Sequence, residues 1–175
     1  MQIHPQGGFT FIEVLVALFV LAVGVVGASA AQLAAGRTRQ HAALVSEAAL
    51  LAASYAARMQ ANPQVAGLPD GANPYPSLDY AAPAQVPPAA GAPCFGAGAC
   101  DPAALAAFDL HETRVAIHDR FPGGRVRVCR DTAPWDAALR RYRWACSGGA
   151  GAPLAIKIGW HGGGDAPHYV LMVAR

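Results

Sequence analysis

From Val14 to Ala35 the chain runs for 22 residues in which only Ser29 and Gln32 carry a polar side chain. A helix of about 20 apolar residues crosses the hydrocarbon core of a bilayer, so this run commits the chain to a membrane-spanning helix near its start. A secretory signal peptide has a shorter core, with a small-residue cleavage site after it. Here the processing point lies ahead of the core, at Gly8–Phe9, so cleavage would leave the hydrophobic helix on the mature chain. A lone carboxylate, Glu13, stands at the head of the run. A charge at the bilayer centre costs about 2.5–3.5 kcal/mol on insertion scales and less near the surface, so something should offset it. The positive end of the helix dipole favours an anion there. The amine of Phe9 is a second partner, from the same chain or a neighbour, and snorkelling to the headgroups is the plainer alternative.

Gly8, Phe9, Thr10 and Glu13, followed by VLVALFVLAVGVVG, resemble the N-terminus of type IV prepilins and, more distantly, of type II secretion pseudopilins. The resemblance implies a prepilin peptidase that cuts after Gly8 and methylates the new amine of Phe9. It also implies that Glu13 pairs with the amine of a neighbouring subunit and so sets the stagger between subunits in a fibre.

The four cysteines, Cys94, Cys100, Cys129 and Cys146, all follow the anchor. An even count in an exported domain reads as disulfides in an oxidising space. Zinc is the competing use, but the spacings lack a CxxC and no histidine lies at finger distance. Cys94 and Cys100 enclose a short loop that a local disulfide would close, leaving Cys129 and Cys146 as partners by elimination. Strand parity opposes that second pair, because Val126 and Val128 share a face that excludes Cys129, unless a bulge intervenes. The net charge of +2 excludes no class of partner, and the single lysine among 13 basic residues, Lys157, reads as a matter of composition. The segment MQIHPQGG holds no Lys or Arg while Arg37 and Arg39 follow the anchor, which by the positive-inside rule alone would place the C-terminal side in the cytoplasm. The cysteines and the motif outweigh this, and we expect the C-terminal domain outside. An upstream in-frame start encoding basic residues would account for the neutral leader.

Beyond the anchor, Leu44, Ala48, Leu51, Tyr55 and Met59 recur at helical spacing with Glu47, Arg58 and Gln60 off the stripe. The pattern predicts one helix over residues 9–62, about 80 Å long at about 1.5 Å per residue, with a membrane half (9–36) and an amphipathic half (37–62). A split into two helices near Gly36 is the alternative. Residues 63–93 carry eight prolines and are expected to be an irregular connection. Asp101–Pro102 is a strong helix start, with Leu105, Phe108, Val115 and Glu112 on one side of a helix that stops by Phe121–Pro122–Gly123–Gly124. Alternating segments at 125–130, 142–146, 154–160 and 169–174 predict an antiparallel sheet whose last two strands form a hairpin.

The order Cys94…Cys100-Asp-Pro-Ala-Ala-Leu-Ala-Ala-Phe-Asp-Leu, then Phe121-Pro-Gly-Gly, resembles the globular part of PilV-type minor pilins, with Thr113 in the place of a usual tryptophan and Phe121 in that of a leucine. The expectation is an α+β, type IV pilin-like fold: a long N-terminal helix packed on a small antiparallel sheet, with a second short helix. Residues 1–8 would be a leader and 94–175 the globular head. The implied role is priming or modifying pilus assembly together with other minor pilins and the major pilin, from the inner membrane with the head in the periplasm, then in the fibre. The alternatives are a type II secretion pseudopilin and an adhesive or DNA-binding tip module.

His111, His118, His161 and His168 lack an HExxH or a dense carboxylate set, so no metal or cofactor is expected. Arg140-Arg141-Tyr142-Arg143-Trp144 could stack on single-stranded nucleic acid, but eight arginines against four acids between residues 110 and 145 fit an arginine-guarded edge strand better. No GxSxG, P-loop or Cys–His pattern supports catalysis.

Overall fold

The computed structural model describes residues 8, 10–82, 84–85, 89, 91, 93–96, 98–149, 151–161 and 166–173. The chain forms two compact units, Met1–Ala43 and Leu44–Arg175. Helix α1, Phe11–Ala61, contributes to both and continues through Gly36.

Between Val14 and Ala35, in the first unit, α1 carries apolar side chains at all positions but Ser29 and Gln32. An 18-residue window has mean hydropathy 2.7 and none of it is buried. Side chains such as Phe11, Phe19, Val20 and Val26 face outward, and the helix meets the length and composition for crossing a membrane.

The second unit packs the last turns of α1 against a sheet. Ala48, Ala52, Tyr55, Ala56 and Met59 form the buried stripe, with Leu44 and Leu51 flanking it. The four-stranded sheet has the order β1-β2-β5-β6, built from β1 (Asp79–Ala81), β2 (Arg125–Arg130), β5 (Leu154–Gly159) and β6 (Tyr169–Val173). Each neighbouring pair is antiparallel, with Val126 opposite Ile158 and Val128 opposite Ile156. These side chains meet Tyr80, Ile117 and Phe121 in one apolar core with the α1 stripe. A short ribbon, β3 (Trp135–Asp136) with β4 (Arg141–Tyr142), lies between β2 and β5 in the chain.

Three expectations need correction. The proline-rich stretch is not wholly irregular: it holds helix α2 (Pro63–Ala66), a 3₁₀ turn (Tyr75–Ser77) and β1. Pro74 and Pro76 sit where the first turn of a helix leaves N–H groups unused, so their missing donors cost nothing. Tyr75, Leu78 and Tyr80 are buried, and the Val128 amide donates to the Leu78 carbonyl at 2.8 Å. The segment at 142–146 is not a strand of the main sheet, because only Arg141–Tyr142 pairs, and with β3. Finally, helix α3 (Pro102–Arg120) buries Ala106, Asp109, Leu110, Thr113 and Ile117, whereas Leu105, Phe108 and Val115 are only half-buried. Two polar groups can lie on its inner face because both are satisfied. Thr113 Oγ1 donates to its own helix at the Asp109 carbonyl, 2.7 Å away, and Asp109 accepts from Tyr75. As the sequence indicates, Asp101 caps α3 by accepting from the Ala104 amide at 2.8 Å.

Candidate functional site

The described part of the N-terminal segment begins with Gly8 and resumes at Thr10. Phe9, and with it the expected cleavage partner and methylated amine, lies outside the described residues. Thr10 precedes the first residue of α1, and both its backbone N–H and its Oγ1 hydroxyl donate to Glu13 Oε2 at 2.9 Å. The Glu13 amide in turn donates to the Thr10 carbonyl at 3.1 Å. This is the reciprocal half of a capping box, in which a glutamate at the third helical position folds back on the N-cap. It gives Glu13 two donors within its own chain, and both bonds fall on one carboxylate oxygen. The sequence carries a signal for this in Thr-x-x-Glu ahead of an apolar run, a capping role for Thr10 beyond its place in the motif.

In the second unit, disulfides join Cys94 to Cys100 and Cys129 to Cys146. Cys129 lies on the outer sheet face with Arg125 and Arg127, opposite to Val126 and Val128. It meets Cys146 because residues 143–149 leave β4 as irregular chain, so no strand parity constrains Cys146. The same segment covers the outer face of β5, all six of whose residues are buried.

Lys157 anchors that cover. Its ammonium donates to Asp131 Oδ2 at 2.5 Å and to the carbonyls of Arg143 and Ala145 at 2.8 and 2.6 Å, with Lys157 and Asp131 both wholly inaccessible. Asp131 also accepts from Ser147 Oγ at 2.5 Å and from the Ala133 amide at 3.0 Å. Burial pushes the Asp131 carboxyl up, but the hydrogen bonds from Lys157, Ser147 and Ala133 outweigh it and hold its pKa down at about 2. The lone lysine is thus a structural ion pair with every proton used, not a feature of composition. Arg130, at the end of β2, grips Asp70 through Nε and Nη2 at 2.6 and 2.7 Å, which ties the proline-rich stretch to the sheet.

A second polar network lies where α1 meets α3. The Tyr75 hydroxyl donates to Asp109 Oδ2 at 3.0 Å and accepts from Asn62 Nδ2 at 3.2 Å. Asn62 also donates to the Pro102 carbonyl at 2.7 Å, and Arg58 approaches Asp109 at 3.4 Å. Burial pushes the Tyr75 hydroxyl up to about 12, so this phenol stays a donor at any physiological pH.

The histidines do not converge. His118 bonds the Tyr80 hydroxyl at 2.9 Å, and His168 stacks on Trp160 at 4.2 Å. Among the described residues no group of three or more His, Cys, Asp or Glu could hold a metal ion. Of the arginine cluster, Arg143 donates to the Ala133 carbonyl at 2.9 Å, Arg140 takes φ +50° at the ribbon turn, and Tyr142 packs edge-on to Trp135. The cluster therefore belongs to the two-stranded ribbon and the cover, not to an edge of the main sheet.

No curated protein and no solved structure matches the chain. Residues 3–29 match the prokaryotic N-terminal methylation motif, the signal of type IV pilins and pseudopilins. With the apolar helix that it opens, the motif points to membrane anchoring and to assembly with other pilins after processing by prepilin peptidase. The match covers 27 of the 175 residues, all of them N-terminal to the head.

Proposed function

We propose that the chain is a minor pilin of a type IV pilus, of the PilV type, that helps prime or modify fibre assembly. The observation that carries this reading is the methylation motif running directly into an apolar helix with outward-facing side chains throughout. Such a surface needs lipid before assembly and neighbouring helices after it. In this reading residues 1–8 are removed at Gly8–Phe9, Phe9 is methylated, 9–36 reside in the inner membrane, and 37–62 carry the head. The proline-rich stretch 63–93 and the head, 94–175, lie in the periplasm, where the two disulfides form. The minor-pilin assignment draws support from the order of cysteine loop, capped helix and Phe121-Pro-Gly-Gly turn.

The test is Gly8→Ala in the native host. The wild-type protein is expected to begin at Phe9 with one added methyl group by mass spectrometry, and the variant to retain its leader and to reduce piliation. Normal piliation with impaired type II secretion would move the chain to the pseudopilins. A wild-type protein that starts at Met1 would end the proposal.

A further inference from the structure

Two surfaces of the head are used by none of the roles above. The first is a cleft of about 380 Å³ between α1 and α3. Tyr55 and Thr113, both buried, form its floor, and Leu50, 69% exposed, stands at its rim. Glu112 and Asp119 line it from one side of α3, seven residues apart. Among the described residues neither carboxylate meets a cation, whereas Glu47 is held by Arg120 at 2.8 Å. The charged lining residues are Glu47, Glu112 and Asp119 against Arg58 and Arg120, a surplus of one negative charge. Asp109 and Arg114, whose charges both act on Tyr55 in the floor, cancel each other.

The second surface is the tip of the β3–β4 ribbon. Both stems of the ribbon are fixed on the sheet face away from the helices, because Asp131 before it and the Arg143 carbonyl after it accept from the Lys157 ammonium. At the tip, Asp136 Oδ1 accepts from the amides of Ala138 and Leu139, each at 3.0 Å, and Tyr142 packs edge-on to Trp135. The tip is therefore ordered before any partner arrives. It presents Trp135 and Leu139, 49% and 58% exposed. Arg140 and Arg141 are exposed beside them, and among the described residues neither side chain meets an anion. From residue 132 to residue 143 three arginines stand against two aspartates, a surplus of one positive charge.

We propose that the ribbon tip of one copy seats in the α1–α3 cleft of a second copy. Arg140 and Arg141 pair with Glu112 and Asp119, while Trp135 and Leu139 cover Leu50. The surplus charges are equal and opposite, and both surfaces expose apolar side chains beside their unpaired ions. The cleft lies on the helix side of the sheet and the ribbon on the other, so one head cannot satisfy itself. Each copy offers a tip on one side and a cleft on the other, a heterologous contact that repeats head to tail and is not shared across a two-fold axis. A tip this small belongs to the weak class of interfaces, below about 1,200 Å², and is read by crosslinking better than by mass. The contact rests on the head alone and needs neither leader removal nor fibre entry, so it stands or falls apart from the pilin reading.

The test uses the full chain in detergent micelles, with the photo-crosslinker p-benzoylphenylalanine in place of Leu139 and differently isotope-labelled copies mixed. The expected result is a crosslink from position 139 of one copy to residues 47–58 or 112–120 of another, mapped by mass spectrometry. Two charge variants then separate the surfaces. Arg140→Glu with Arg141→Glu makes tip and cleft both acidic, and Glu112→Arg with Asp119→Arg makes both basic. Each variant alone should crosslink about tenfold or more weakly, because like charges then face each other. An equimolar mixture of the two should regain most of the yield, since each tip then meets a cleft of opposite sign. The map is read in a chain with both charge sets intact, so misfolding of a variant does not spoil the test. Absence of a crosslink between copies, a crosslink from tip to tip or to the anchor, undiminished yield in either variant, or no recovery on mixing variants whose Trp fluorescence is native would each overturn the proposal. In membranes of the native host, a crosslink to another protein with none to this chain would overturn the second copy as the occupant.

Discussion

Lys157 and Asp131 show how one residue pair can decide the architecture of a head. Neither side chain has any accessible surface, so the pair stands only because each donor and acceptor is met. Removing one partner leaves a buried charge alone, typically at a cost of about 3–5 kcal/mol. Lys157→Met is therefore expected to lower stability by that order in urea denaturation. Lys157→Met with Asp131→Leu should recover a large part, because no charge then remains buried. An additive double variant would show that the pair is not coupled. The acid response follows from the Asp131 carboxylate, whose folded pKa of about 2 lies below its ordinary value of 3.8. A depressed pKa contributes stability that is present above the unfolded value and is lost as pH falls through the folded one. The window is thus about pH 4 down to pH 2, and the contribution is on the order of 2 kcal/mol. Asp131→Asn should flatten that part of the stability–pH curve. None of this is legible from Leu-Ala-Ile-Lys-Ile-Gly, since a strand lysine is normally solvated and its burial depends on carbonyls more than ten residues away. Thr10 is the opposite case, because its cap on Glu13 is written in the local pattern.

At the level of elements, the sequence was legible wherever one local rule applied. The amphipathic stripe of α1 and the Asp101–Pro102 start of α3 are local patterns, and both stand in the structure. The 3₁₀ turn and β1 are not legible, because the prolines mask three apolar residues, Tyr75, Leu78 and Tyr80, whose irregular spacing only makes sense beside β2. The inner face of α3 is hidden for a similar reason: Asp109 is tolerated inside because Tyr75 and Arg58 arrive from elsewhere in the chain. The disulfides permit a graded prediction. Cys129–Cys146 spans 17 residues and Cys94–Cys100 spans 6. Loop-closure entropy makes the first worth about 3 kcal/mol and the second about 2 kcal/mol. Cys129→Ser with Cys146→Ser should also release the cover over β5, so amide exchange at Lys157 and Ile158 is expected to accelerate. Cys94→Ser with Cys100→Ser should leave those amides protected and loosen only the entry to α3. Equal exchange in the two variants would mean that Lys157 alone holds the cover.

The whole molecule contains two solutions to apolar surface. The second unit buries its own between helix and sheet, whereas the first displays it in full and so depends on surroundings that a single chain does not supply. Between Phe11 and Gly36, Glu13 is the one charged side chain in that surface. The cap by Thr10 occupies Oε2, while among the described residues no bond falls on Oε1. One oxygen thus serves the chain's own helix start and the other is left for a cation, for which the amine of a neighbouring processed subunit is the proposed source. Gln at this position fits a capping box as well as Glu does, so Glu13→Gln keeps the cap and removes only the charge. Membrane insertion and leader removal are therefore expected to match wild type by fractionation and by mass spectrometry. If the proposed intermolecular ion pair forms, incorporation into sheared fibres, measured by immunoblot, should fall severalfold or more. Glu13→Leu should insert at least as readily, since the cost of placing a carboxylate in lipid disappears, and should be equally poor in fibre entry. If Glu13→Gln enters fibres as wild type does, the carboxylate serves only its own helix, and the stagger between subunits must be set by packing of the apolar faces.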